Sequence, residues 1–422
     1  MATLTTLLNA VQTLGKPSWR EMLTYVAELH GRSTHPAQVP FPYPWEEIGP
    51  GYCYGPGFGH WDAIHAFLDT QYDEPEHARR QLLNYLSVQS EDGMLPGVVW
   101  MPRADAPSRR EPRWSNRTSH PPVWPMAVQA YVDLVQDDGL LPRVYDPLIR
   151  QIYWFEQHRR AEPQGFYYSD ILTFDWESGV DEGVRFKDVQ PGPFACVDAT
   201  AHMYLLYTAA EDWGARLGAT TGLYGAKADR LRAFIQRELF SEETGFFHDS
   251  WSVNRPDRRP MALEGMWPMV VGAATGTQAR RVIDENLLNP RRFFTTHPVS
   301  TVGVEEPDFE LRMWRGPTWN SMTYWSAWGC LRYGRAAAAR ILLERALDSS
   351  AEQFGRTGTI WEFYHPQGGA PELLLRKPNT PYNTPCRDYL GHNPLIAMAR
   401  LWGEADKATG RKSEKADLPD HL

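Results

Sequence analysis

Apolar residues recur every three to four positions over long stretches of this chain, the repeat that gathers them on one face of an α-helix. In "AKADRLRAFIQRELF", Leu231, Phe234, Ile235 and Leu239 share such a face. "GRAAAARILLERALDSS" repeats the pattern, with Ile341, Leu342 and Leu347 inward and Arg345 outward. "EHARRQLLNYLSVQ" and "HPPVWPMAVQAYVDLVQDD" carry it as well, and Asp198 is placed to cap a helix over "ATAHMYLLYTAAEDW". Runs that alternate apolar and polar residues are few. The pattern predicts an all-α chain.

The segments between these helices resemble one another. "EDGMLPGVVW" (91–100) echoes "DDGLLP" (137–142), and "EPQGFYYSD" (162–170) echoes "EETGFFHDS" (242–250). Each is a Gly-centred turn at a helix junction. Recurrent helix pairs of this kind predict a ring of hairpins, and about twelve helices fill this length, which points to an (α/α)6 barrel, with an irregular α-solenoid as the alternative. The expected organisation is one barrel over residues 1–403 and a polar tail over 404–422. A Pro-, Gly- and aromatic-rich stretch (30–61) is expected to be a long loop over the mouth of a pocket, because its aromatic content argues against disorder.

Composition narrows the function classes. The chain is 42% hydrophobic and 23% charged, an ordinary globular balance, and its formal charge of -9 offers no basic face for nucleic acid. No apolar run approaches the ~20 residues that span a bilayer. The first residues read as a helix start, not as a secretory leader, so the expected location is cytoplasmic and no membrane partner is expected. Cys53, Cys196, Cys330 and Cys386 form no CxxC or Cys/His cluster, so neither a zinc site nor a disulfide framework is expected. The 17 Trp, 19 Tyr and 17 Phe are more informative. Flat apolar faces with polar edges suit sugar rings, although large aromatics also simply fill cores. The expected partner is a small molecule, and a homo-oligomer stays open.

Candidate chemistry sits in four stretches. "TFDWESGVDEGVRF" (173–186) packs Asp175, Glu177, Asp181 and Glu182 closely. Clustered carboxylates beside a Trp disfavour ionisation, so one of the four is suited to hold a proton near neutral pH, the plainer reading being a solvated acidic loop. "GTIWEFYHPQGG" (358–369) sets Glu362 inside an aromatic run, where burying a charge is costly unless it is bonded or works. "YGPGFGHWDAIHAFLD" (54–69) places Trp61 and Asp62 where a glycine-rich segment enters a helix. "RMWRGPTWNSMTYW" (312–325) sets Arg315 between Trp314 and a Gly-Pro turn. Two carboxyls on opposite sides of a scissile bond, one protonated and one ionised, are what glycoside hydrolysis needs.

"GFGHWD", "HPPVW", "WESGVD", "MWRGPTW" and "WEFYHPQGG", in this chain order, resemble signatures of glycoside hydrolase family sixty-three across nearly the whole chain. The resemblance implies an (α/α)6 barrel and an inverting α-glycosidase. The compact length resembles those members that hydrolyse mannosylglycerate or glucosylglycerate. It further implies Asp181 as general acid and Glu362 as general base, with no cofactor or metal. Trp61 and Asp62 would hold the sugar, Trp314, Arg315 and Trp319 would line the same pocket, and His120 and Trp124 of the "HPPVW" stretch would join them. Arg185, Arg113, Arg117 and the tyrosines of the mouth loop, Tyr54 among them, are candidates for the glycerate carboxylate. The choice of manno or gluco sugar stays open. The rivals are a trehalase-like glycosidase, a sugar epimerase or isomerase on the same barrel with His60 and His65 or His365 and His392 as bases, and a non-catalytic sugar-binding scaffold.

Overall fold

The computed structural model describes residues 4–102, 112–115, 118–136, 138–173, 176–187, 189–219, 222–251 and 259–416. Helices dominate them. In chain order they are α1 (Thr5–Ala10), α2 (Arg20–Ser33), α3 (His60–Thr70), α4 (Pro75–Ser87), α5 (Trp124–Val135), α6 (Leu141–His158), α7 (Asp170–Thr173), α8 (Val197–Arg216), α9 (Leu223–Phe234), α10 (Trp267–Val270), α11 (Gly276–Arg281), α12 (Asn320–Arg332), α13 (Ala336–Thr357) and α14 (Leu395–Ala416). Among the described residues no helix is long and apolar enough to cross a membrane.

The helices fall into two kinds. Every residue of α3 is buried, and so is α12 from Asn320 to Ala327. A helix buried all round needs neighbours on all sides. By contrast α4, α6, α9 and α13 bury one stripe each, such as Val144, Leu148, Ile152 and Phe155 on α6. The expected inward face of α9 is buried as read, while on α13 Ile341 is exposed and Leu342, Leu343 and Leu347 are buried. Packing runs from α3 to α5, α8, α10, α12 and α14 and back to α3. On the outside of this circuit α4 packs on α3, α6 and α9 on α8, α13 on α12 and α14, and α2 on α14.

Hydrogen bonds from buried polar side chains tie α3 to its neighbours. Asp69 Oδ1 accepts from Ala397 N at 2.7 Å, joining α3 to α14. His65 meets Gly391 O at 2.6 Å through Nδ1 and accepts from Trp325 Nε1 at 3.0 Å.

Three expectations need correction. Asp198 does not cap α8: Cys196 is the boundary residue, and Asp198 lies in the first turn paired to Arg185. The 30–61 stretch is not a structureless loop. Residues 30–33 complete α2, and within the rest β1 (Thr34–His35) pairs antiparallel with β2 (Trp45–Glu46). Then β3 (Gly57–Gly59) pairs with β4 (Val98–Trp100), which pairs with β5 (Arg113–Trp114). These pairings join residues far apart in sequence, which local patterning cannot show. Finally, the boundary expected after residue 403 falls inside α14, which runs to Ala416; residues 417–422 lie outside the described ones.

Candidate active site

The segments that lead into the inner helices converge at one end of the helical circuit around a cavity of about 310 Å³. Tyr52, Tyr54, Trp61 and Asp62 come from the approach to α3 and its first turn, His120 from the approach to α5, and Trp176 and Asp181 from the segment between α7 and α8. Trp314 and Trp319 come from the approach to α12, and Glu362, Arg376, Lys377, Tyr389 and His392 from the long connection between α13 and α14.

The acidic stretch resolves into distinct parts. Glu177 is fully buried and serves as a clamp: it accepts from Arg159 Nε at 2.6 Å and Nη2 at 2.9 Å, from Ser119 N at 3.2 Å and from Ser169 N at 2.7 Å. Ser178 is held at both its N–H and its hydroxyl by Asp170, at 2.8 and 2.7 Å. Gly179 has φ +69°, and a Cβ there would stand 2.3 Å from the Trp61 ring, so only glycine lets the two segments meet. Held this way, the turn presents Asp181 to the cavity. Glu182 is half exposed, with its carboxylate 3.3 Å from Arg312. Asp175 lies outside the described residues.

Asp181 and Glu362 line the same cavity in unlike surroundings. Burial raises the Asp181 carboxyl above the ordinary range against the opposing charges of Lys377 and Arg376. Lys377 Nζ stands 3.4 Å away. Glu362 is 2% exposed and accepts a two-pronged pair from Arg376, Nε at 2.6 Å and Nη2 at 3.0 Å, and a third bond from Cys386 N at 3.1 Å. A carboxylate offers about four lone-pair sites, so one is left for a water proton.

Asp62 is the third cavity carboxyl. Burial, reinforced by the charges of Glu362 and Asp181, raises it to about 7 although Tyr389 Oη donates to its Oδ1 at 3.0 Å. Gly59 and Gly391 make room for it: a Cβ on either would come within 2.2 and 2.1 Å of its carboxylate oxygens. The apolar wall is an aromatic stack. Trp314 and Trp319 lie face to face at 3.8 Å and 5°, and Trp61 stacks on Trp314 at 5.8 Å. Such faces suit the apolar side of a pyranose. Burial holds His120 down to about 3, so it is a neutral hydrogen-bonding group at neutral pH.

The cavity brings together Asp181, Glu362, Tyr54, Trp61, Asp62, His120, Trp314 and Trp319, and Arg113 lines it as well. Three expected members stand elsewhere. Trp124 is buried in the helix layer, donating to Gln151 at 2.8 Å and packed against Trp213. Arg185 is buried away from the cavity lining, ion-paired with Asp198, Asp249 and Glu264. Arg315 donates to Glu182 O at 2.9 Å and to Glu310 at 2.9 Å, bracing the loop that carries Asp181. Arg117 lies outside the described residues. Of the rival histidines His60, His65, His365 and His392, only His392 lines the cavity, and burial holds it well below its ordinary range. The sequence reading missed Arg376, Lys377, Tyr389 and Trp176. The one available signal was two adjacent cations in a Pro- and Asn-rich loop soon after "WEFYHP".

The family model for the mannosylglycerate hydrolase MGH1-like glycoside hydrolase domain matches residues 55–383. The chain is 22% identical over 412 residues to the mannosylglycerate hydrolase MGH1 of Selaginella moellendorffii, covering 80% of this chain and 78% of that one. It is 22% identical over 407 residues to the glucosylglycerate hydrolase of Mycolicibacterium hassiacum, covering 74% and 87%. In fold it is similar to a GH63 mannosylglycerate hydrolase from Thermus thermophilus solved with glucose, with TM-score 0.67, 18% identity, and 92% of this chain and 100% of that one covered.

Proposed function

The chain belongs to the mannosylglycerate hydrolase MGH1-like glycoside hydrolase family, and on that footing we propose that it hydrolyses a small α-glycoside of an organic acid, mannosylglycerate or glucosylglycerate, to sugar and glycerate with inversion at the anomeric carbon. The observation that carries this reading is the pair Asp181 and Glu362, which line one cavity, Glu362 fixed by three hydrogen bonds and Asp181 partly open beside Lys377. Asp181, its carboxyl raised by burial, gives its proton to the glycosidic oxygen. Glu362, fixed by Arg376 and the Cys386 N–H, takes a proton from a water that attacks the far face of the anomeric carbon.

Trp61, Trp314 and Trp319 give the sugar a flat platform, and Asp62 and His120 meet its hydroxyls. Lys377, beside Tyr54, and Arg113 line the cavity, and a charge-assisted bond from either cation favours an anionic leaving group. The closed helical circuit supports an (α/α)6 barrel as the frame.

The test is a substrate panel. Mannosylglycerate and glucosylglycerate are expected to release glycerate roughly a hundredfold faster than trehalose or kojibiose are cleaved, because the latter bring no carboxylate to the cations that line the cavity. Comparable rates across the panel would contradict an acid-specific site, and a preference for trehalose would favour the trehalase-like reading.

A further inference from the structure

Behind the wall that holds Glu362, two of the four cysteines meet. Cys53 and Cys386 pack with Ile48, Tyr52 and Tyr389 in a small cluster of their own, apart from the main core. Their two segments are pressed together along the backbone: Leu390 N donates to Ile48 O at 2.7 Å and Gly391 N to the same oxygen at 3.0 Å. A Cβ on Gly51 would stand 1.8 Å from Arg387 O, and one on Gly49 2.1 Å from Asp388 O. Backbones this close seat Cys53 and Cys386 in one small cluster, the kind of neighbourhood in which a disulfide can close. The remaining cysteines differ: Cys196 and Cys330 are fully buried and not paired with another thiol.

The two thiols are also unequal. The neighbouring Cys386 thiol, helped by the nearby Arg376 guanidinium, holds the Cys53 thiol below its ordinary range in spite of burial. The same neighbourhood, together with burial, pushes Cys386 up. Cys53 is partly exposed and Cys386 is buried. A partly exposed thiol of low proton affinity beside a cation is the reactive kind, and a neighbouring thiol is placed to resolve its oxidation. Cys196 and Cys330 are pushed up by burial and stay inert.

We propose that Cys53 and Cys386 form a hydroperoxide-sensitive dithiol whose closure to a disulfide lowers turnover by displacing the peptide that frames Glu362. The Cys53 thiolate attacks the peroxide O–O bond, giving Cys53 sulfenic acid and hydroxide (or the alcohol of an organic peroxide). The Cys386 sulfur then attacks the sulfenic sulfur, the S–O bond breaks, and the departing hydroxide takes the Cys386 proton as water. The two thiols lose two electrons and two protons, and hydrogen peroxide becomes two waters. Cys386 frames Glu362 on both sides of the chain: its N–H donates to Glu362 Oε2 at 3.1 Å, and its carbonyl accepts from Glu362 N at 2.8 Å. Drawing its side chain toward Cys53 moves that frame. Displacements of this kind near a reacting group cost roughly ten- to a hundredfold in rate.

The effect on turnover rests on the role proposed for Glu362, whereas bridge formation does not, so the two are read separately. The purified full-length protein is treated with hydrogen peroxide and then alkylated, digested and analysed by mass spectrometry. The expected result is a Cys53–Cys386 linked peptide with Cys196 and Cys330 still alkylated as thiols. Turnover should fall by about ten- to a hundredfold and return with dithiothreitol, and the Cys53→Ser variant should keep its own starting rate through the same treatment. Absence of the linked peptide, or its formation without loss of turnover, would overturn the proposal. So would equal inactivation of Cys53→Ser.

Discussion

The ammonium of Lys377 stands 3.4 Å from a carboxylate oxygen of Asp181, a cation placed directly against the group assigned to donate a proton. Lys377 pulls the Asp181 carboxyl down, while burial pulls it up and prevails. An anionic leaving group would draw the ammonium to itself and leave Asp181 a better proton holder. Lys377→Met should therefore move the alkaline limb of the kcat/KM profile to higher pH, and should raise KM for a glycoside of an organic acid by roughly ten- to a hundredfold. An unshifted limb with unchanged KM would show that the ammonium serves neither purpose.

Asp181→Asn and Glu362→Gln should each lower turnover by roughly 10²–10⁴-fold, the contribution of a positioned acid or base. Their effects on stability should differ. Asp181 is partly open to the cavity, so its amide is tolerated, whereas Glu362→Gln puts an amide –NH2 against Arg376 and leaves a buried guanidinium without its counter-charge. Steady-state kinetics with melting curves on both variants checks this. Turnover near the parent rate in either one removes its assignment.

Asp62 is raised from 3.8 to about 7 by burial, which sets the sign of its effect on stability. The folded protein holds this proton more tightly than the unfolded chain, so the contribution of Asp62 is full below about pH 4 and is lost as pH rises through about 7. Asp62→Asn keeps an acceptor for Tyr389 without the charge. Its melting temperature should exceed the parent's above pH 7, by an amount corresponding to a few kcal/mol at most, and should match it near pH 4. Sugar binding should weaken at the same time. A variant less stable at pH 8 would contradict the burial of this charge.

At the entry to the mouth segment, His30 lies buried between Glu46 at 2.5 Å and Asp69 at 3.2 Å, and His77 adds a bond to Glu46 at 2.9 Å. Burial opposes the charge on His30, but the two carboxylates outweigh it and raise the imidazole to about 10. Glu46, likewise opposed by burial, is drawn down to about 2 by His30. The stability supplied by His30 is complete below about pH 6.5 and is lost as pH climbs through 10, while that of Glu46 is complete above about pH 4.5 and is lost as pH falls through 2. His30→Ala leaves buried Asp69 without a charged partner and Glu46 with His77 alone, and should cost about 3–5 kcal/mol near neutral pH by chemical denaturation. A loss under about 1 kcal/mol, the worth of an exposed pair, would mean the network is open to water.

Much of this was legible in the sequence, and the failures have physical causes. The one-faced helices α9 and α4 announced themselves by periodicity, because one side meets water. Helix α3 was legible only from the glycine-rich turn that enters it: "HWDAIHAFLDT" is buried on every side, so no polar stripe marks its register. Its Asp69 and His65 are bonded to α14 and Gly391, more than three hundred residues away in sequence. The "WESGVD" motif was visible as a motif, yet the division of labour within it, with Glu177 as clamp, Gly179 as clearance for Trp61 and Asp181 as the group facing the cavity, depends on distant partners such as Arg159. Arg185 misled for the same reason. Its position beside the motif suggested a role toward substrate, and its three carboxylate partners come from α8 and beyond. Arg376 and Lys377, which matter most to the electrostatics of the two acids, sit in a loop with no periodicity to mark them.

The most direct test of the central claim, that Asp181 and Glu362 act on opposite faces of one anomeric carbon with a water between, is to follow hydrolysis of an α-linked glycerate glycoside by proton NMR within the first minutes. The β-anomer of the free sugar should appear first and mutarotate to the equilibrium mixture. Initial release of the α-anomer would mean retention and a covalent intermediate, and the roles given to these two carboxyls would then be wrong.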